Sequence, residues 1–195
     1  MPKIIIEEPL TLPVSVEEAK IHSRITTSNV DNDASIESML YSATKQAENY
    51  TCRAFITQKW KLETQKIWPY LKIPRPPLQP DTVENVVFRD SMGVETPIDP
   101  DTYYVDHIQQ PAILTFKTGQ YPFPFSSFNW GWGSPASNVI ILEFTAGYGD
   151  DPEDVPWQIK QGILNIFGFL YENRESQMMA CGAFDILNPY RVMYL

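Results

Sequence analysis

The chain has 195 residues, 43% of them hydrophobic, which is enough for a single domain to bury a core without disulfide or metal staples. A formal charge of −9 argues against a protein built to coat nucleic-acid backbone, because that affinity comes from Lys and Arg releasing counterions from phosphates. Cys52 and Cys181 are the only cysteines and offer neither a disulfide framework nor a thiolate metal spacing, a pattern expected in a reducing compartment.

Met1–Glu8 holds three isoleucines before two acids, too short an apolar stretch for a secretory signal, so export is not expected. Ser15-Val-Glu-Glu18 reads as a capping box, with Val14 and Ala19 as its hydrophobic staple, and predicts a short helix to about Arg24. A second helix is predicted after Asp33. Its Ile36, Leu40, Ala43, Ala47, Tyr50 and Ala54 recur alternately four and three apart, giving one narrow stripe for close packing on another helix. Asn49-Tyr-Thr51 matches a glycosylation acceptor but lies inside this helix and is disregarded.

After Phe55 the period changes to two, with Trp60 and Leu62 alternating with Lys59, Lys61 and Glu63 as in a strand with one buried face. The prolines of Ile73-Pro-Arg-Pro-Pro-Leu78 forbid helix and central strand and predict an extended connector or edge. Further strands are expected at 83–88, 103–105, 112–116 and 138–145, with a turn at Asp90-Ser-Met-Gly93. Val139-Ile-Ile-Leu142 is apolar on both alternating faces, which marks a central strand. Ala146-Gly-Tyr-Gly149 reads as a turn, and an acidic run from Asp150 to Asp154 leads into a third helix at about 155–173, with Pro156 in its first turn. Its Ile159, Ile163, Ile166 and Leu170 make it the partner of helix two. No stretch approaches the roughly 18 uninterrupted apolar residues of a membrane span, so no membrane partner is expected.

Charge is unevenly spread. Residues 45–75 carry seven basic and two acidic side chains, whereas 81–116 carry seven acidic ones and Arg89 alone. If these stretches end on different faces, one copy meets the next head to tail; otherwise they are ordinary solvated surface.

Few residues suggest chemistry. His22 and His107 are the only histidines, and Asp106 is positioned in sequence to orient His107 as a base, although neighbours in an extended chain point to opposite faces. The glycines at 131, 133, 147 and 149 lack the residues of a phosphate loop, and the acids at 150–154 lack calcium-loop spacing. No catalytic residue, metal site or cofactor is expected. Two segments suggest binding instead. Residues 121–132 place Tyr121, Phe123, Phe125, Phe128, Trp130 and Trp132 within one loop, which either folds under as a satellite core, buries against a neighbouring subunit, or stacks sugars. The tail at 175–195 holds Met178, Met179, Phe184, Ile186, Leu187, Tyr190, Met193, Tyr194 and Leu195, too apolar to hang free, and docks on its own core or on another protein.

Several segments, in order, resemble the head-to-tail connector (adaptor) proteins of tailed bacteriophages: Leu10-Thr-Leu-Pro-Val-Ser-Val-Glu-Glu-Ala-Lys20, Ala47-Glu-Asn-Tyr-Thr-Cys-Arg-Ala-Phe-Ile-Thr-Gln58 and Ile73–Leu78, then Phe144–Gly149, Val155–Gln161, Leu170–Arg174 and Asn188-Pro-Tyr-Arg191. The resemblance implies an α+β fold, a small antiparallel bundle of three main helices with a β-rich domain inserted between helices two and three. In this sequence that corresponds to bundle helices in 1–55, a β lobe at 56–149 containing Ile73–Leu78, a third helix at 150–175 and a docking tail at 176–195. It implies no catalytic residues. It also implies a non-enzymatic virion protein of the neck, assembled in the host cytoplasm as a homo-oligomeric ring, a dodecamer in the family. Such a ring sits under the portal protein and carries a stopper or tail-completion protein, while DNA passes through without specific binding. Subunit contacts are expected from the aromatic loop. Portal contacts are expected from Phe184, Leu187, Tyr190, Arg191, Met193, Tyr194 and Leu195. A carbohydrate-binding or host-recognition module using residues 121–132 is the alternative.

Overall fold

The computed structural model describes residues 3–25, 33–65, 70–90, 92–117, 139–173 and 182–193. The fold is α+β, and its described strand pairs are all antiparallel. It divides into two compact units, Met1–Glu8 with Gln58–Ala146 and Pro9–Thr57 with Gly147–Leu195. No helix among the described residues is long and apolar enough to cross a membrane.

The second unit is helical. Helix α1 (Val16–His22) starts on the expected capping box: the Glu18 amide donates to Ser15 Oγ at 3.2 Å, and the Ser15 amide donates to the Glu18 carboxylate at 2.7 Å. It stops two residues before the expected Arg24. Arg24 adopts φ 54°, and the Ile25 amide returns to the Lys20 carbonyl at 2.9 Å, closing a Schellman turn without glycine. Helix α2 (Asp33–Thr51) ends in the same way: Cys52 has φ 57° and the Arg53 amide reaches the Glu48 carbonyl at 3.2 Å. The stripe expected through Ala54 therefore belongs to the helix only as far as Tyr50, although Ala54 is still buried beyond it.

Helix α3 (Trp157–Glu172) is slightly shorter than expected, because Pro156 is its N-cap and the acids before it form a separate 3₁₀ turn at Pro152–Asp154. Ile159, Ile163 and Ile166 of α3 share a buried core with Ile36, Leu40, Ala43 and Ala47 of α2, so the two stripes do pair. A short helix α4 (Gly182–Asp185) adds Phe184 to the margin of this core. Gly147, at φ 144°, has to be glycine, since a Cβ there would lie 2.6 Å from the Thr57 amide nitrogen.

The first unit holds two sheets. The five-stranded one has the order β1-β2-β8-β4-β5, formed by Lys3–Glu7, Gln58–Thr64, Val139–Ala146, Glu84–Arg89 and Glu95–Pro97. Strand β8 is central, as its doubly apolar pattern predicts, and Ile140, Ile141, Leu142 and Phe144 are all buried. Strand β2 alternates strictly, with Trp60 and Leu62 inward and Lys59, Lys61 and Glu63 outward. The three-stranded sheet has the order β3-β7-β6, formed by Leu71–Lys72, Ile113–Phe116 and Tyr103–Asp106. The segment expected as a connector or edge between them is built into the unit: Ile73, Pro74, Pro76 and Leu78 are buried, and the buried Arg75 lays its guanidinium 5.3 Å over the Trp60 ring.

Candidate functional site

The residues with catalytic promise are not assembled into a centre. Asp106 uses one carboxylate oxygen on the Ile108 amide (3.0 Å) and the other on Gln109 Nε2 (2.9 Å), so both serve a local turn rather than His107. His22 lies exposed at the end of α1, with Gln161 Nε2 3.4 Å from its ring. In the acidic run, the Asp154 carboxylate accepts the Asp151 amide at 3.3 Å, a capping role. Among the described residues no three His, Cys, Asp or Glu side chains converge to hold a metal. What the molecule offers is surface, and three features shape it.

The first is the seat of the tail, residues 182–193, which docks on its own helical core. Phe184 stacks on Tyr50 with ring centroids 4.5 Å apart, and Leu187 is fully buried against Gly162 of α3. The Tyr190 carbonyl accepts from Arg53 Nε at 2.6 Å, its hydroxyl donates to Gln158 at 3.1 Å, and the Tyr50 hydroxyl donates to Asn188. The Val192 amide donates to the Thr51 carbonyl at 2.9 Å, satisfying an acceptor at the end of α2. The same end holds a buried carboxylate, Glu48, which accepts the Phe55 amide at 3.1 Å and Lys45 at 3.3 Å. Burial pushes the Tyr148 phenol above its ordinary value, partly offset by the charge of Arg53. Of the tail residues expected to reach a partner, Phe184, Leu187 and Tyr190 are engaged inside the chain. Arg191, over the Tyr50 ring at 5.2 Å, and Met193, 69% accessible, face outward. Tyr194 and Leu195 lie outside the described residues.

The second is the charged outer face of the five-stranded sheet. Lys59 pairs with Glu84 at 3.0 Å and more distantly with Glu143, while Arg89 reaches Glu95 at 2.9 Å and Glu63 at 3.5 Å. The hydrogen bond to Glu84, then the surrounding carboxylates, hold Lys59 above its ordinary pKa; Glu95 does the same for Arg89. The uneven charge of the sequence is thus partly reconciled within the sheet, because antiparallel pairing lays the basic strand β2 near the acidic residues around β4.

The third is the set of sheet edges. Edge strand β1 exposes Ile4 (62%) and Ile6 (44%), and edge strand β6 exposes Tyr104 (54%). Sequence reasoning missed β1, although the Ile4-Ile5-Ile6 triplet is a strong β-branched signal. The aromatic loop with Tyr121, Phe123, Phe125, Phe128, Trp130 and Trp132 lies outside the described residues, so the subunit-contact and sugar-stacking readings that depend on it do as well.

No family model and no curated protein matches the chain. Solved structures do. A chain in the virion of a native gene transfer agent particle is 21% identical, with a TM-score of 0.76, and the match covers 100% of this chain and 97% of that one. A chain in the neck of the empty gene transfer agent particle, computed with C6 symmetry, is 22% identical at the same TM-score and the same coverage. One from the neck of the native particle, computed with C12 symmetry, is 21% identical, with a TM-score of 0.69 over 98% of this chain and 97% of that one. The fold of the described residues is therefore that of chains found in gene transfer agent particles.

Proposed function

We propose that this chain is a structural, non-catalytic component of the neck of a phage-like particle, a head-to-tail connector that forms a ring beneath the portal and leaves a channel for DNA. The observation that carries the reading is likeness over the full chain, TM-score 0.76, to chains of gene transfer agent virions and necks, which extends the ordered sequence resemblance to phage connectors. The described surface is compatible with it: polar groups serve caps, turns and cross-strand pairs, and Ile4 and Ile6 on β1, Tyr104 on β6 and Met193 in the tail are among the apolar residues left exposed.

In this reading the sheet unit carries contacts between copies, and the helical unit presents the tail to the portal. Because Leu187 is buried and Phe184 and Tyr190 are engaged with the helical core, Arg191 and Met193 are the favoured portal contacts among the described tail residues. A net charge of −9 per copy suits a ring through which DNA slides, since acids around a channel repel phosphates. The test is binding of the chain to its portal. Arg191→Ala with Met193→Ala is expected to weaken binding by roughly 1–3 kcal/mol, with only a small fall in melting temperature from the lost Arg191–Tyr50 contact. Unaltered binding would count against the tail assignment.

A further inference from the structure

We infer that neighbouring copies of this chain join edge to edge, strand β1 of one copy adding to strand β6 of the next. The inference rests on the ring reading above and names the contact that closes the ring. Among the described residues four strands end the two sheets. Strand β3 has two residues, and β5 has three with Pro97 among them, so neither offers a useful ladder. Strands β1 and β6, with five and four residues, are the edges long enough to pair, and both expose apolar side chains.

Their faces match. Ile4 lies opposite Lys61 on the outer face of its sheet, and Tyr104 lies opposite Thr115 on the outer face of its own. Joining the edges brings β-branched and aromatic side chains together on one surface, a favourable cross-strand pairing. A groove of about 280 Å³ runs beside β6, lined by Leu78, Asp81, Val83, Tyr104, Val105 and His107, and supplies the pocket that strand addition uses for alternate side chains. The bulge between Ile5 and Glu7 turns the far end of β1 away and keeps the added strand short.

Charge selects a second copy as the occupant. Lys61, beside Ile4, makes no ion pair among the described residues. Around β6, Asp81, Asp99, Asp101 and Asp106 likewise pair with no cation there. Lys61 thus meets the acids left over at the other edge, while the acid of β1 itself, Glu7, lies past the bulge beside Lys59. Each copy offers one β1 and one β6, two different patches, so the contact is head to tail and closes into a ring when the rotation allows.

Cross-linking tests this in a chain freed of its own thiols by Cys52→Ser and Cys181→Ser. Ile4→Cys with Tyr104→Cys, treated with a short bismaleimide alone and with the portal present, is expected to give a covalent ladder that ends at the ring size. Ile4→Cys with Met92→Cys, at the turn between β4 and β5, is expected to give none. Rings seen by electron microscopy without the Ile4–Tyr104 ladder would overturn the edge contact and leave the ring reading standing. A chain that stays monomeric under both conditions would overturn both. In the native background, Ile4→Glu with Ile6→Glu sets like charge against the aspartates around β6 and should leave the melting temperature unchanged while weakening self-association at least about tenfold. Unchanged assembly would contradict the inference.

Discussion

At the residue scale, the seat of the tail depends on Gly162. A Cβ there would come 2.5 Å from Leu187 Cδ2, well inside van der Waals contact. Gly162→Val is expected to cost about 1–3 kcal/mol in denaturant unfolding and to open residues 182–193 to protease, since overpacking has to displace Leu187. Tyr148 gives a pH prediction. Its phenol has a raised pKa in the folded chain against an ordinary value of 10.0, so the folded state holds the proton more tightly than the unfolded state. The stabilisation is complete below about pH 10 and is lost as pH rises through the folded value. Stability of the native chain should therefore decline above that point, and Tyr148→Phe should decline less, as followed by melting temperature against pH. Neither residue stands out in the sequence: Gly162 interrupts no pattern, and Tyr148 lies within the turn that Ala146-Gly-Tyr-Gly149 predicts. A close approach or a buried hydroxyl is made by distant chain, and spacing carries no trace of it.

At the element scale, what could be read was what is local. The capping box at Ser15 and Glu18, the four-three stripes of α2 and α3 and the two-residue alternation of β2 all follow from contacts within a few residues, and the structure has them. Helix ends were misplaced by up to a few residues because Arg24 and Cys52 adopt positive φ where a glycine would have announced the stop. Arg24 is exposed, so Arg24→Gly should relieve the left-handed strain and raise stability by about 0.5–1 kcal/mol in a thermal or denaturant melt. Strand β1 was missed for a different reason. Its partner β2 lies more than 50 residues further along the chain, and five residues without alternation do not show which sheet completes them. Ile73–Leu78 reads as an extended connector or edge because prolines forbid a ladder; proline is also apolar, and here most of the segment is buried around Arg75 and Trp60.

At the scale of the whole molecule, the uneven charge is partly an internal matter. Lys59 and Arg89 are neutralised across strands, whereas Lys61 beside the β1 edge and the aspartates around β6 are among the charges that make no ion pair among the described residues. The tail expected to dock either at home or abroad does the first for Phe184, Leu187 and Tyr190, and holds out Arg191 and Met193. The most direct test is electron microscopy of the chain mixed with its portal. The account predicts a closed ring coaxial with the portal, with residues 191–193 at the junction and an acidic channel. A chain that leaves the portal bare, or a ring whose lumen is lined mainly by Lys and Arg, would contradict it.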